Sequence, residues 1–128
     1  MRLRSIKNIK NLKDKTVLCR IDLNVELING KLDEFSELKI KRTLPTVQWL
    51  LKQGARVIML SHYGRPKNKE AKYSLHQFTN YLENHLKQKI VFLSSLTGAD
   101  QKLKNKTRVF LLENLRFFNG EETNDPKF

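Results

Sequence analysis

A single cysteine, Cys19, occurs in the 128-residue chain, so no internal disulfide can form and a reducing compartment is the simplest home. It follows Val17 and Leu18, where a small core residue is expected rather than a reactive thiol. No stretch approaches the roughly 18 apolar residues of a membrane span, and the start, Met1-Arg2-Leu3-Arg4-Ser5, lacks the apolar region of a signal peptide. A soluble, cytoplasmic protein is expected. The Gly-x-Gly-x-x-Gly and Gly-Lys-Ser/Thr phosphate loops are missing, as is the Gly-x-Ser-x-Gly nucleophile elbow. Internal repeats and low-complexity tracts are missing too. His76 and His85 stand nine positions apart on one predicted helix and do not share a face at ligand spacing, so no metal site is expected.

Acidic residues are scarce: 13 against 25 lysines and arginines, a formal net charge of +12. Such a balance attracts nucleic acid, acidic surfaces or phosphorylated metabolites without choosing among them. Aromatic residues are not interleaved with the basic ones and no nucleic-acid motif occurs, which argues against base stacking or groove reading. Hydrophobic content of 39% and 30% charged residues fit one globular domain over residues 1–128, long enough to bury a core.

The pattern along the chain alternates strands with helices. A lead-in through Lys15 precedes a predicted strand over Thr16 to Leu23. There Arg20, Asp22 and Asn24 alternate with Ile21, Leu23 and Val25, and a period of two sends the polar three to one side. Alone, they fit a half-exposed strand with a surface Arg-Asp pair. Asn29-Gly30 signals a turn, after which Ile40, Leu44, Val47 and Leu51 recur at helical spacing up to Gly54. Pro45 predicts a kink in that helix, or a helix beginning near Leu44. The run Val57-Ile58-Met59-Leu60 reads as a strand covered on both faces, breaking at Ser61-His62-Tyr63-Gly64-Arg65-Pro66 into a loop. Ser74 and Gln77 form a capping-box pattern before a helix with Leu75, Phe78, Leu82 and Leu86 on one face. Ile90 to Leu93 and Arg108 to Leu112 are two more strands, with about one helical turn between them. A helix start is expected near Asn124 or Asp125, before Pro126.

Strand, helix, strand, helix, strand, short helix, strand is the order of an open parallel α/β sheet of four strands, Rossmann-like in its winding. Three of the four strands deliver polar groups to their carboxyl ends, where such sheets bind ligands. Arg20 with Asp22 and Asn24, His62 with Arg65, and Arg116 thus converge as a candidate anion site.

Taken together, three segments resemble the amino-terminal domain of the phosphoglycerate kinase family: Lys15-Thr16-Val17-Leu18-Cys19-Arg20-Ile21-Asp22-Leu23-Asn24-Val25, Ser61-His62-Tyr63-Gly64-Arg65-Pro66 and Leu111-Leu112-Glu113-Asn114-Leu115-Arg116-Phe117. Gly120-Glu121-Glu122 and Asn124-Asp125-Pro126 extend the resemblance over nearly the whole chain. It implies reversible phosphoryl transfer in glycolysis between 1,3-bisphosphoglycerate and ADP, giving 3-phosphoglycerate and ATP, with Mg2+. By the same resemblance Arg20, Asp22, Asn24, His62, Arg65 and Arg116 bind phosphoglycerate. The chain departs from the family at Glu26, where proline is usual, and at Lys39, which occupies the position of the family's catalytic arginine. The family domain has six parallel strands in the order 3-4-2-1-5-6. This chain is therefore expected to be an incomplete domain with its first strand at an open edge, lacking the nucleotide-binding domain that holds ATP or ADP and Mg2+. A full-length relative is expected to be a monomer. The competing expectation is an inactive, diverged basic module that binds nucleic acid or protein.

Overall fold

In the computed structural model, residues 3–104 and 106–128 are described; Met1 and Arg2 of the opening segment and Asn105 of the segment before the last strand lie outside them. Their order is β1 (Thr16–Arg20), β2 (Leu27–Ile28), β3 (Lys31–Leu32), α1 (Glu34–Lys52), β4 (Arg56–Leu60), α2 (Thr79–Leu86), β5 (Ile90–Leu93), α3 (Ala99–Leu103) and β6 (Val109–Leu112).

β1, β4, β6 and β5, in that spatial order, form one four-stranded sheet, and every pairing in it is parallel. Numbered by their order in the chain, these strands run first, second, fourth, third, which agrees with the order the resemblance implied. β1 lies at an edge. β2 and β3 form a separate antiparallel hairpin closed at Asn29-Gly30, a pairing of which the sequence signalled only the turn.

Two apolar layers hold the sheet. On one face, Val57, Met59, Val109 and Leu111 pack with Ile40, Leu44, Val47 and Leu50 of α1 and with Phe78, Leu82 and Leu86 around α2. On the other, Ile58, Leu93, Phe110, Leu112 and Leu115 meet Ala99, Leu103 and Phe118. Alternation along β4 explains why it needs both layers: successive side chains enter opposite faces, and Val57, Ile58 and Met59 are all buried. The second layer stops short of β1, whose Leu18 is 66% exposed.

α1 begins earlier than the sequence pattern suggested and passes through Pro45. Asp33 caps it, its Oδ1 accepting the Ser36 N–H at 2.8 Å; the Ser36 side chain first, and this backbone bond second, hold the Asp33 carboxyl below its ordinary pKa. Pro45 sits on the exposed side, so the helix bond it deletes is lost where water can serve the freed carbonyl. The buried stripe is Ile40, Leu44, Val47 and Leu50, with Leu51 half-buried. Trp49 packs against the core from the helix flank.

The Ser74 and Gln77 pattern does not form a capping box. Gln77 Nε2 donates to the Ser74 and Lys72 carbonyls, whereas Ser74 Oγ accepts from His76 N and donates to Glu113 Oε2 at 2.7 Å. A distant carboxylate has captured the hydroxyl, and the first turn, Leu75–Phe78, is a 3-10 helix. The segment after Gly120 forms turns rather than a regular helix. No helix among the described residues is long and apolar enough to cross a membrane.

Candidate functional site at the carboxyl edge of the sheet

The chain leaves β1, β4 and β6 on the same edge, since all three run parallel. β1 stops at Arg20, earlier than the predicted Leu23, yet the alternation persists beyond it: Ile21, Leu23 and Val25 are buried while Asp22 and Asn24 stay accessible. The Leu23 N–H donates to Ser61 Oγ at 3.0 Å, tying this segment to the end of β4.

Asn114, fully buried after β6, braces the second and third contributions. Its Oδ1 accepts the Tyr63 and Arg116 N–H groups at 3.1 Å each, and its Nδ2 donates to the Tyr63 and Tyr73 carbonyls at 2.8 Å each. One amide thereby satisfies four backbone groups and sets the loop bearing His62 beside the turn bearing Arg116. Glu113 adds to this, its Oε1 accepting from the Leu75 and Asn114 N–H groups.

Gly64 has φ +63, and a Cβ there would lie 2.5 Å from the Tyr73 ring. Only glycine permits both that backbone conformation and that approach. Its N–H donates to Asn24 Oδ1 at 2.9 Å, so the loop after β4 is also fastened to the segment after β1.

Two polar groupings result. In the first, Arg20 Nη2 lies 3.5 Å from His62 Nδ1 and 3.5 Å from Glu121 Oε1, and Arg116 Nε lies 3.2 Å from Glu121 Oε2. Arg116 Nη1 also meets Glu122. In the second, Lys39 Nζ lies 3.0 Å from Asp22 Oδ2 and donates to the Asn24 carbonyl at 2.8 Å. Burial pushes the His62 pKa below its ordinary value; the Arg116 and Arg20 charges add to that, and Glu121 and Asp22 oppose it. Neutral imidazole is therefore the favoured form. Burial likewise raises the Cys19 thiol, which suits a core residue.

Arg20, His62 and Arg116 are thus brought together, and Asp22, Asn24 and Lys39 form the adjoining group. The surface pair between Arg20 and Asp22 does not form: Asp22 turns to Lys39 and Arg20 to Glu121. Arg65 is exposed on the same loop as His62 and makes no hydrogen bond or ion pair with a described residue. Sequence reasoning assigned no role to Glu121 or Asn114. Their presence beside Arg116 and within Glu113-Asn114-Leu115-Arg116 was the available signal.

Such an edge suits an anion of several charges, because guanidinium forks grip phosphate or carboxylate bidentately while Asp22 and Asn24 can bond a hydroxyl. Among the described residues no group of three or more His, Cys, Asp or Glu side chains could hold a metal ion.

Comparison with known proteins identifies the family and the fold. The sequence model of the family described as phosphoglycerate kinase matches residues 6–128. The phosphoglycerate kinase of Helicobacter pylori is 40% identical over 128 residues, covering 94% of this chain and 32% of that protein. That of Leptospira biflexa is 41% identical over 124 residues, covering 93% and 31%. The solved phosphoglycerate kinase of Coxiella burnetii superposes with a TM-score of 0.80 at 34% identity, covering 98% of this chain and 31% of that one. The Pyrococcus horikoshii enzyme gives 0.77 at 30% identity, covering 93% and 29%. This chain therefore spans about a third of the length of these relatives. Matched along nearly all its residues in sequence and in fold, it belongs to the phosphoglycerate kinase family.

Proposed function

We propose that this chain is the phosphoglycerate-holding part of a cytoplasmic phosphoglycerate kinase, which moves a phosphoryl group reversibly between 1,3-bisphosphoglycerate and ADP in glycolysis. The observation that carries the reading is the convergence of Arg20, His62 and Arg116 at one edge, with exposed Arg65 on the loop beside them. Their guanidinium groups bind the 3-phosphate, and neutral His62 donates a hydrogen bond to it. Asp22 and Asn24 orient the hydroxy acid.

Lys39, at the position of the family's catalytic arginine, supplies positive charge toward the transferring group. Its ammonium is a point charge without the planar fork that spreads over a phosphoryl's equatorial oxygens. ATP or ADP and Mg2+ find no fit among the described residues, which carry neither a phosphate loop nor a metal-binding cluster. We assign them to the part of the family enzyme that these 128 residues do not span, and expect no phosphoryl transfer from the 128 residues alone.

Titration calorimetry at low ionic strength tests the reading. 3-Phosphoglycerate should bind weakly, lose affinity as salt is added because the arginines are accessible, and weaken further in Arg65→Ala and Arg116→Ala. Heats no different from those of succinate, a dianion lacking phosphate, would remove the support for it.

A further inference from the structure

We propose that Glu121 is a positioning residue of the anion cradle: its carboxylate sits behind Arg20 and Arg116 and turns their remaining N–H groups outward to the ligand. This rests on the proposed function, whose site it deepens. The Glu121 side chain is only 10% exposed, against 57% for Arg20, so the carboxylate lies inside the pair and the guanidinium of Arg20 outside. Each of its oxygens serves a different arginine, Oε1 to Arg20 at 3.5 Å and Oε2 to Arg116 at 3.2 Å.

The backbone is shaped to deliver this carboxylate. Gly120 has φ +94, and a Cβ there would lie 2.8 Å from the Asp125 side chain. The Asp125 N–H closes the turn onto the Gly120 carbonyl at 2.9 Å. Glu121 is thereby folded back over the sheet edge, while its neighbour Glu122 meets Arg116 from solvent with 65% of its side chain exposed.

Donor arithmetic supports a strut rather than a plug. Each guanidinium has five N–H donors. Arg20 directs Nη2 inward and Arg116 directs Nε and Nη1 to the glutamates, which leaves Arg20 Nε and Nη1 and Arg116 Nη2 without a partner among the described residues. The Arg116 Nε to Glu121 Oε2 contact is an ion pair without hydrogen-bond alignment, and both atoms are buried with no hydrogen-bond partner. Glu121 therefore holds Arg116 Nε by charge alone, while Nη1 donates to Glu122 on the exposed side, which leaves Nη2 free for a phosphate. The two guanidinium groups would otherwise repel one another, and Glu121 is the inner anion common to both.

Glu121→Gln keeps the shape and removes the charge; Glu122→Gln is the exposed control. Circular dichroism melts establish that each variant is folded. In the ligand-free protein, Glu121→Gln should lower the His62 pKa read by NMR and speed solvent exchange at Arg116 Nε–H. The charges facing His62 are Arg116, Arg20, Glu121 and Asp22, and only the third is altered. Glu122→Gln should leave His62 unchanged. Calorimetry should show about tenfold weaker 3-phosphoglycerate binding in Glu121→Gln, the scale of one charge-assisted bond, with no loss for inorganic sulfate. Glu121→Asp, charged but too short to span both arginines, should restore the His62 titration without restoring that affinity, and it carries the test if the glutamine variant does not fold. Unchanged or tighter 3-phosphoglycerate binding in Glu121→Gln overturns the proposal. Should the unaltered chain fail to bind 3-phosphoglycerate, the proposed function falls, and Glu121 is still decided by NMR: an unchanged His62 titration and Arg116 exchange rate overturn its role.

Discussion

Lys39 Nζ lies 3.0 Å from the Asp22 carboxylate and donates to the Asn24 carbonyl at 2.8 Å, so an ammonium on α1 is fastened to the segment that follows β1. Two partners only 15 and 17 residues earlier in the chain hold a group whose proposed work is with a ligand. An arginine here could keep the Asp22 contact with one edge of its fork and present the other.

That geometry sets the first expectation. In a chimera joined to the remaining part of the Helicobacter pylori enzyme, Lys39→Arg should raise kcat by about a hundred- to thousand-fold, the scale of one transition-state donor. Affinity for 3-phosphoglycerate should change little, the pattern of a group used mainly in the transition state. Equal turnover of the two chimeras would show that lysine suffices.

Asn114→Ala should destabilise the fold by about 2–4 kcal/mol, because four backbone groups lose their partner in a buried site. Urea unfolding monitored by tryptophan fluorescence measures it. Anion binding should weaken in the same variant, since Asn114 sets the turn of Arg116 against the loop of His62. A loss below 1 kcal/mol would mean that the loops hold themselves.

Stability should fall on acidification through His62. Its folded pKa is depressed below the ordinary value of about 6.5, so the unfolded chain takes up the proton first. The contribution is complete above the unfolded pKa and is lost as pH falls through the folded one. His62→Gln should flatten that part of the stability profile between pH 7 and the acid limb. 3-Phosphoglycerate, bringing negative charge beside the ring, should raise the His62 pKa in NMR titrations.

The isolated chain should self-associate through β1. Among the described residues the strand pairs only with β4, and its Leu18 opens onto an apolar groove of about 310 Å³ lined also by Ile58, Leu60, Leu93 and Leu112. An unpaired edge next to bare apolar surface invites a second copy. Sedimentation should show mass rising with concentration, and Leu18→Lys should reduce it. A monodisperse monomer at high concentration would contradict this.

Sequence by itself determined the alternation of strands and helices, because local periodicity of two and of 3.6 depends only on which residues must be buried. Parallel strands then send every strand end to one edge, so Arg20, His62 and Arg116 could be grouped before any contact was known. The strand order followed from resemblance and from no local signal. Pairings between distant segments were decided only in the tertiary structure. Asp22 stands two residues from Arg20 but is held by Lys39, and Ser74 has the spacing of a capping box but gives its hydroxyl to Glu113. Pro45 lies well inside a helix that begins at Glu34 rather than near Leu44, because the lost bond falls on the solvent side. Glu121 and Asn114 became visible as parts of the site for the same reason: a charge or an amide finds its partner by where the chain folds back, which spacing along the sequence does not record.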